Sequence, residues 1–131
     1  DLVPNLRCQA DKGYDVLFEE VQSSRFLLAL LDSEEGKDYA FLRKDRSKSS
    51  GNAQLSLGFN RPMIIEEAFA GCYGFTPDNA VVYPAGGLGG ALIKAANMSE
   101  EAYSAMQSEL SKLFEEKKAC ALESLTHATR H

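Results

Sequence analysis

The residues best placed to do chemistry are Tyr83-Pro84-Ala85-Gly86-Gly87-Leu88-Gly89-Gly90-Ala91. They follow the apolar run Ala80-Val81-Val82-Tyr83 and precede Ala91-Leu92-Ile93-Lys94-Ala95-Ala96, which suits a helix. A strand, a glycine loop and a helix start together present bare backbone N–H groups, a common means of holding phosphate. The spacing departs from the established fingerprints. Read as GxGxxG from Gly87, Leu92 stands where the third glycine or alanine belongs. Neither Gly89 nor Gly90 is followed by the lysine that GxxxxGK[ST] requires. Gly86, Gly87, Gly89 and Gly90 therefore form an alternative anion site. The plainer reading is a flexible connector where two backbones pass closely.

No other constellation of catalytic residues is visible. The carboxylates that could serve such a loop are Asp32, Glu66, Glu67 and Asp78, and none stands in a motif with a histidine or a nucleophile. His127 and His131 lie four residues apart at the C-terminus without a nearby cysteine or acid to complete a zinc site. The expectation is a protein with no catalytic residues, no metal and no cofactor.

Length and composition narrow the classes. A chain of 131 residues has room for one domain, expected over 14–131 behind an N-terminal arm at 1–13. Its 44% hydrophobic and 25% charged residues are ordinary for a globular protein. A net charge of −5 argues against a nucleic-acid surface, which needs a basic face. The basic cluster Arg43-Lys44-Asp45-Arg46-Ser47-Lys48 sits in a polar Ser/Gly stretch and reads as a solvated loop. No apolar run approaches the ~20 residues of a membrane span. The opening Asp1-Leu2-Val3-Pro4-Asn5 has neither an initiator Met nor a signal-peptide profile, as after removal of a preceding segment. Cys8, Cys72 and Cys120 are odd in number and form no CxxC pair, which fits reduced thiols in the cytoplasm. The alternative is a periplasmic or secreted protein with a Cys8–Cys120 disulfide, a closure worth about 4–5 kcal/mol in the chain-entropy model.

Positioning these residues requires a set of elements. Residues 14–22 place Leu17, Phe18 and Val21 on one helical face, although Tyr14, Val16 and Phe18 also alternate as in a strand. The apolar run 25–31 suits a buried strand. It turns through 32–37 into a second strand at 38–43. Residues 53–59 alternate with period two and predict a third strand. Asn60-Arg61-Pro62 reads as the start of a middle helix carrying Met63, Ile64, Ile65, Ala68 and Phe69. Residues 72–75 and 80–83 flank Thr76-Pro77-Asp78-Asn79 as a second hairpin. Ser99 caps a long amphipathic helix whose stripe runs through Tyr103, Met106, Leu110, Leu113 and Phe114, extended by Ala121, Leu122 and Leu125. The expected fold is α+β: an antiparallel sheet of about five strands, packed by the middle helix and the C-terminal amphipathic helix.

That element order resembles the small acidic type III secretion chaperones. The local resemblance runs from Asn60 to Leu113, through the Asn that opens the middle helix, Gly74-Phe75-Thr76-Pro77-Asp78-Asn79-Ala80-Val81-Val82-Tyr83, and Met98-Ser99-Glu100-Glu101. The glycine-rich loop, the arm and the cysteines depart from that pattern. The resemblance implies a non-enzymatic homodimer that holds an extended segment of a client protein on apolar surface. Phe18, Phe26, Leu28, Tyr39 and Phe41 would bind the client, and Ile64, Ile65 and Phe69 would form the dimer seam. The same residues could instead be core. Two further readings stand beside this one: an exported binding or immunity-type inhibitor with the Cys8–Cys120 disulfide, and a small-ligand or phosphate-binding domain built on the glycine loop.

Overall fold

A computed structural model describes residues 13–29 and 51–129. The predicted strand at 38–43, with Tyr39 and Phe41, lies outside the described residues, as do Cys8 and all but the last residue of the arm. Helix α1 (Tyr14–Ser23) leads to a two-residue strand, β1 (Leu27–Leu28). Helix α2 (Gly51–Phe59), strand β2 (Met63–Glu66), helix α3 (Glu67–Tyr73) and strand β3 (Val81–Tyr83) follow. Helices α4 (Leu88–Ala96) and α5 (Glu100–Thr129) complete the chain.

The three strands form one sheet in the order β1-β2-β3, and both pairings are parallel. Leu27 pairs with Met63 and Leu28 with Ile64; on the other side of β2, Ile64, Ile65 and Glu66 pair with Val81, Val82 and Tyr83. This overturns the antiparallel five-stranded sheet. Two helix ends account for the difference. Asn60 does not open a helix; it ends one. Its φ of 54° is left-handed, and the Arg61 N–H donates to the Ser56 carbonyl at 3.0 Å. That is the six-residue closure of a Schellman motif, with Pro62 stopping the helix beyond it. Gly74 repeats the device after α3, with φ 81° and the Phe75 N–H donating to the Ala70 carbonyl at 3.0 Å.

With those ends placed, Met63-Ile64-Ile65-Glu66 is a strand buried at every position, as a central parallel strand must be. Residues 53–59 are helix, and their inward positions are Ala53, Ser56 and Leu57, at helical spacing. Residues 67–80 hold the seven-residue α3 and the turn that follows, enough for a parallel crossover. The Thr76–Asn79 turn itself is as expected: the Ala80 N–H donates to the Thr76 carbonyl at 2.9 Å, and the Thr76 N–H to Asn79 Oδ1 at 2.9 Å.

Alternation along β2 divides the core between two faces. On one, Met63 and Ile65 meet Ala53 of α2, Phe69, Ala70 and Tyr73 of α3 and Leu110 of α5. On the other, Ile64, Val81 and Tyr83 meet Ala91 and Ala95 of α4 and Met106 of α5. Helix α5 crosses the amino ends of the strands. There the Gln107 side chain donates to the Asn60 carbonyl at 3.0 Å and the Tyr103 hydroxyl to the Arg25 carbonyl at 2.6 Å. Ile64, Ile65 and Phe69, expected on a dimer seam, are all buried inside the single chain, Ile64 and Ile65 on strand β2 and Phe69 on α3.

Candidate functional site

Parallel strands expose all their carboxyl ends at one edge of the sheet, and ligands in such sheets bind where neighbouring connections leave for opposite faces. β2 and β3 do this. From Glu66 the chain enters α3, which packs on the Ile65 face; from Tyr83 it enters the glycine loop and α4, which packs on the Ile64 face. The edge between them is the candidate site, and the glycine loop stands on it.

The loop is built from two kinds of glycine. Pro84, Ala85, Gly86 and Gly87 make a turn closed by the Gly87 N–H donating to the Pro84 carbonyl at 2.8 Å. Gly86 sits at φ 79°, the third turn position where a positive φ is required. A Cβ on Gly87 would come within 3.0 Å of the Pro84 carbonyl oxygen. Those two are explained by the turn. Gly89 and Gly90 are not: both lie in the first turn of α4, both are exposed, and a Cβ on either would meet nothing within 4 Å. The connector reading, in which glycines let two backbones pass closely, finds no such contact at these positions.

Helix α4 begins without help. Gly87 supplies no side-chain cap, and no acid occupies the first turn. The Ala91 N–H reaches the Gly87 carbonyl at 3.1 Å, so the N–H groups of Leu88, Gly89 and Gly90 precede the first intrahelical acceptor. The positive end of the helix thus opens onto the edge.

Glu66 is the second component. It ends the central strand, pairs in register with Tyr83 immediately before the loop, and is 2% exposed. Alternation sets it on the same face as Ile64, beneath α4. It does not cap its own helix α3, and it has partners within the fold. A carboxylate is buried only at a cost, which places it where its acceptor oxygens are used. The edge therefore offers N–H donors from the start of α4, while the Glu66 carboxylate is buried and engaged within the fold. No group of three or more metal-ligating side chains occurs among the described residues.

The residues expected to bind a client are scattered. Phe18 is 40% exposed and forms a ladder with Tyr14 and Phe59, at ring separations of 6.1 and 5.5 Å. Phe26 packs edge-on against Tyr103 at 5.3 Å, and Leu28 packs in the α4-side core. Among the described residues Cys72 and Cys120 form no disulfide, and Cys120 is exposed on α5; Cys8, its expected partner, lies outside them. Glu66 was visible in the sequence only as one unaccompanied carboxylate among several; the signal was its place at the end of an apolar run after Pro62. Comparisons with protein families, with curated proteins and with solved structures find no match for this chain. No helix among the described residues is long and apolar enough to cross a membrane.

Proposed function

We propose that the domain binds a small polar ligand at the carboxyl edge of its parallel sheet, without catalysing a reaction on it. The observation that carries this reading is the pair Gly89–Gly90. Glycine in a helix interior costs roughly 0.5–1 kcal/mol relative to alanine, an upper bound for the first turn, and neither backbone turn nor packing accounts for these two. Room for close approach by a molecule from outside is what remains. The ligand would present acceptor oxygens to the α4 amino end.

The test is a thermal-shift screen of nucleosides, nucleotides, sugar phosphates and polyols, since a ligand bound only to the native state raises the melting temperature. Gly89→Ala supplies the discriminating measurement. It should stabilise the free protein by at most about 0.5–1 kcal/mol while weakening the ligand's effect. A screen with no hit, or a hit that Gly89→Ala leaves intact, rejects the site.

The α1 ladder favours a second reading, a protein-binding module. Tyr14, Leu17 and Phe18 are exposed along one stretch of a ten-residue helix, which suits an apolar partner segment. Phe18→Ser would abolish such binding without touching the sheet edge.

A further inference from the structure

At the opposite, amino-terminal edge of the sheet two arginines converge on one tyrosine. Arg25 lies two residues before β1 and Arg61 two before β2. The Arg25 guanidinium stacks over the Tyr103 ring at 4.6 Å, and its Nη2 donates to the Met98 carbonyl at 3.1 Å. Arg61 Nη2 donates to the Gln22 carbonyl at 2.9 Å. Both guanidiniums are near enough to the Tyr103 hydroxyl to favour its ionised form, against the larger, opposing effect of burial.

Charge in this cluster does not balance. The acid facing it is Glu100, 3.2 Å from Arg25 with a side chain 85% exposed, and no ion pair is formed by Arg61 among the described residues. The chain carries 19 acidic residues and a net charge of −5, so the pairing of two part-buried cations around a single tyrosine stands out. Donors are also left over. Arg25 Nε and Arg61 Nε are both buried without a hydrogen-bond partner, as is Asn60 Oδ1 on the residue before Arg61. Unpaired buried polar atoms are uncommon in native proteins, so both guanidiniums retain donor capacity that the described residues do not use.

From this imbalance we infer that Arg25 and Arg61 form a binding site for a small oxyanion, a phosphate or carboxylate group. Planar guanidiniums suit such groups because they donate through paired N–H bonds. The bound oxyanion displaces the exposed Glu100 carboxylate from Arg25 and supplies the second negative charge that Arg61 lacks. This site is independent of the glycine-loop edge, being at the other end of the strands.

Inorganic phosphate is the probe, titrated calorimetrically into the full chain at constant ionic strength with chloride as the balancing ion. The expected result is saturable binding that Arg61→Gln and Arg25→Gln each weaken about tenfold or more. Arg61→Lys should restore only part, since a lysine lacks the fork. Glu100→Gln should tighten binding by removing the competitor, and it leaves both arginines in place should their replacement disturb folding. Gly89→Ala should change nothing. Absence of saturable heat with the unmodified protein, or looser binding in Glu100→Gln, overturns the assignment.

Discussion

Asn60 shows how much hangs on one backbone angle. Asparagine is favoured both at the start of a helix and in the left-handed residue that ends one, so its identity leaves the direction open. Its φ of 54° and the Arg61-to-Ser56 bond settle it as an end, and with it the strand that follows. Asn60→Ala should therefore cost about 1 kcal/mol, because alanine keeps the Cβ but loses the short polar side chain that lets asparagine tolerate the left-handed region, while Asn60→Gly, which removes the Cβ, should be neutral or stabilising. Equal losses in urea denaturation of the two variants would refute that account of the position. Tyr103 makes a pH prediction. Burial raises its pKa above the usual 10.0, outweighing the two arginines. The folded state thus holds the phenolic proton more tightly than the unfolded one. This contribution is complete below about pH 10 and is lost as pH rises through the raised pKa. Tyr103→Phe should flatten the alkaline fall in stability relative to the unmodified protein. At neutral pH it should cost about 1 kcal/mol, because the 2.6 Å bond to the Arg25 carbonyl goes.

At the scale of elements, residues 14–22 allow both a helix and a strand in the sequence, whereas the stripe behind Ser99 allows only a helix. Helix α1 occupies the span where the helical face was read, and α5 starts at the Ser99 cap, whose Oγ accepts from the Ala102 N–H at 3.2 Å. Residues 53–59 misled because small residues fill both periods: Leu55, Leu57 and Phe59 alternate, yet the buried side chains are Ala53 and Ser56. Nothing apolar marks Ser56; its Oγ donates to the Arg61 carbonyl at 2.6 Å, a role visible only once the helix end exists. The stripe on α5 is legible in the sequence, but its fate is not. Tyr103, Met106 and Leu110 are buried, whereas Phe114, Leu122 and Leu125 are exposed. A helix of 30 residues is about 45 Å long, and only its first half lies against the sheet layers. Unsupported helices of that second half's length are marginal in water. Native-state hydrogen exchange should show slow amides over 103–110 and amides over 116–129 faster by several orders of magnitude. Uniform protection to residue 128 would show that something covers the distal half.

For the whole molecule, the decisive property is that the sheet is covered on both faces. Ile64 turns toward α4 and Ile65 toward α2 and α3. A sheet with one wet face would have left one of them outside, and a run of apolar residues so short cannot reveal by itself whether it lies between two layers or beneath one. The three parallel strands follow from two helix ends, at Asn60 and Gly74, that convert an apparent meander into strand–helix–strand units. The consequence is testable at Ile65, which is 1% exposed at the centre of the middle strand. Were Ile65 on a subunit seam, Ile65→Asp would give a folded monomer. In this fold it places an unpaired carboxylate among Met63, Phe69 and Leu110, with no partner of opposite charge in that core cluster. The substitution adds that desolvation penalty to the loss of a buried side chain worth roughly 1.5–3 kcal/mol. A domain of this size is stable by only about 5–15 kcal/mol, so Ile65→Asp should unfold it, with loss of the far-ultraviolet helical signal at 25 °C. Ile65→Val, which trims one methyl group, should cost about 0.5–1.5 kcal/mol and remain folded. A folded Ile65→Asp protein, equal in helix content to the unmodified one, would place Ile65 outside the core and undo the two-faced sheet.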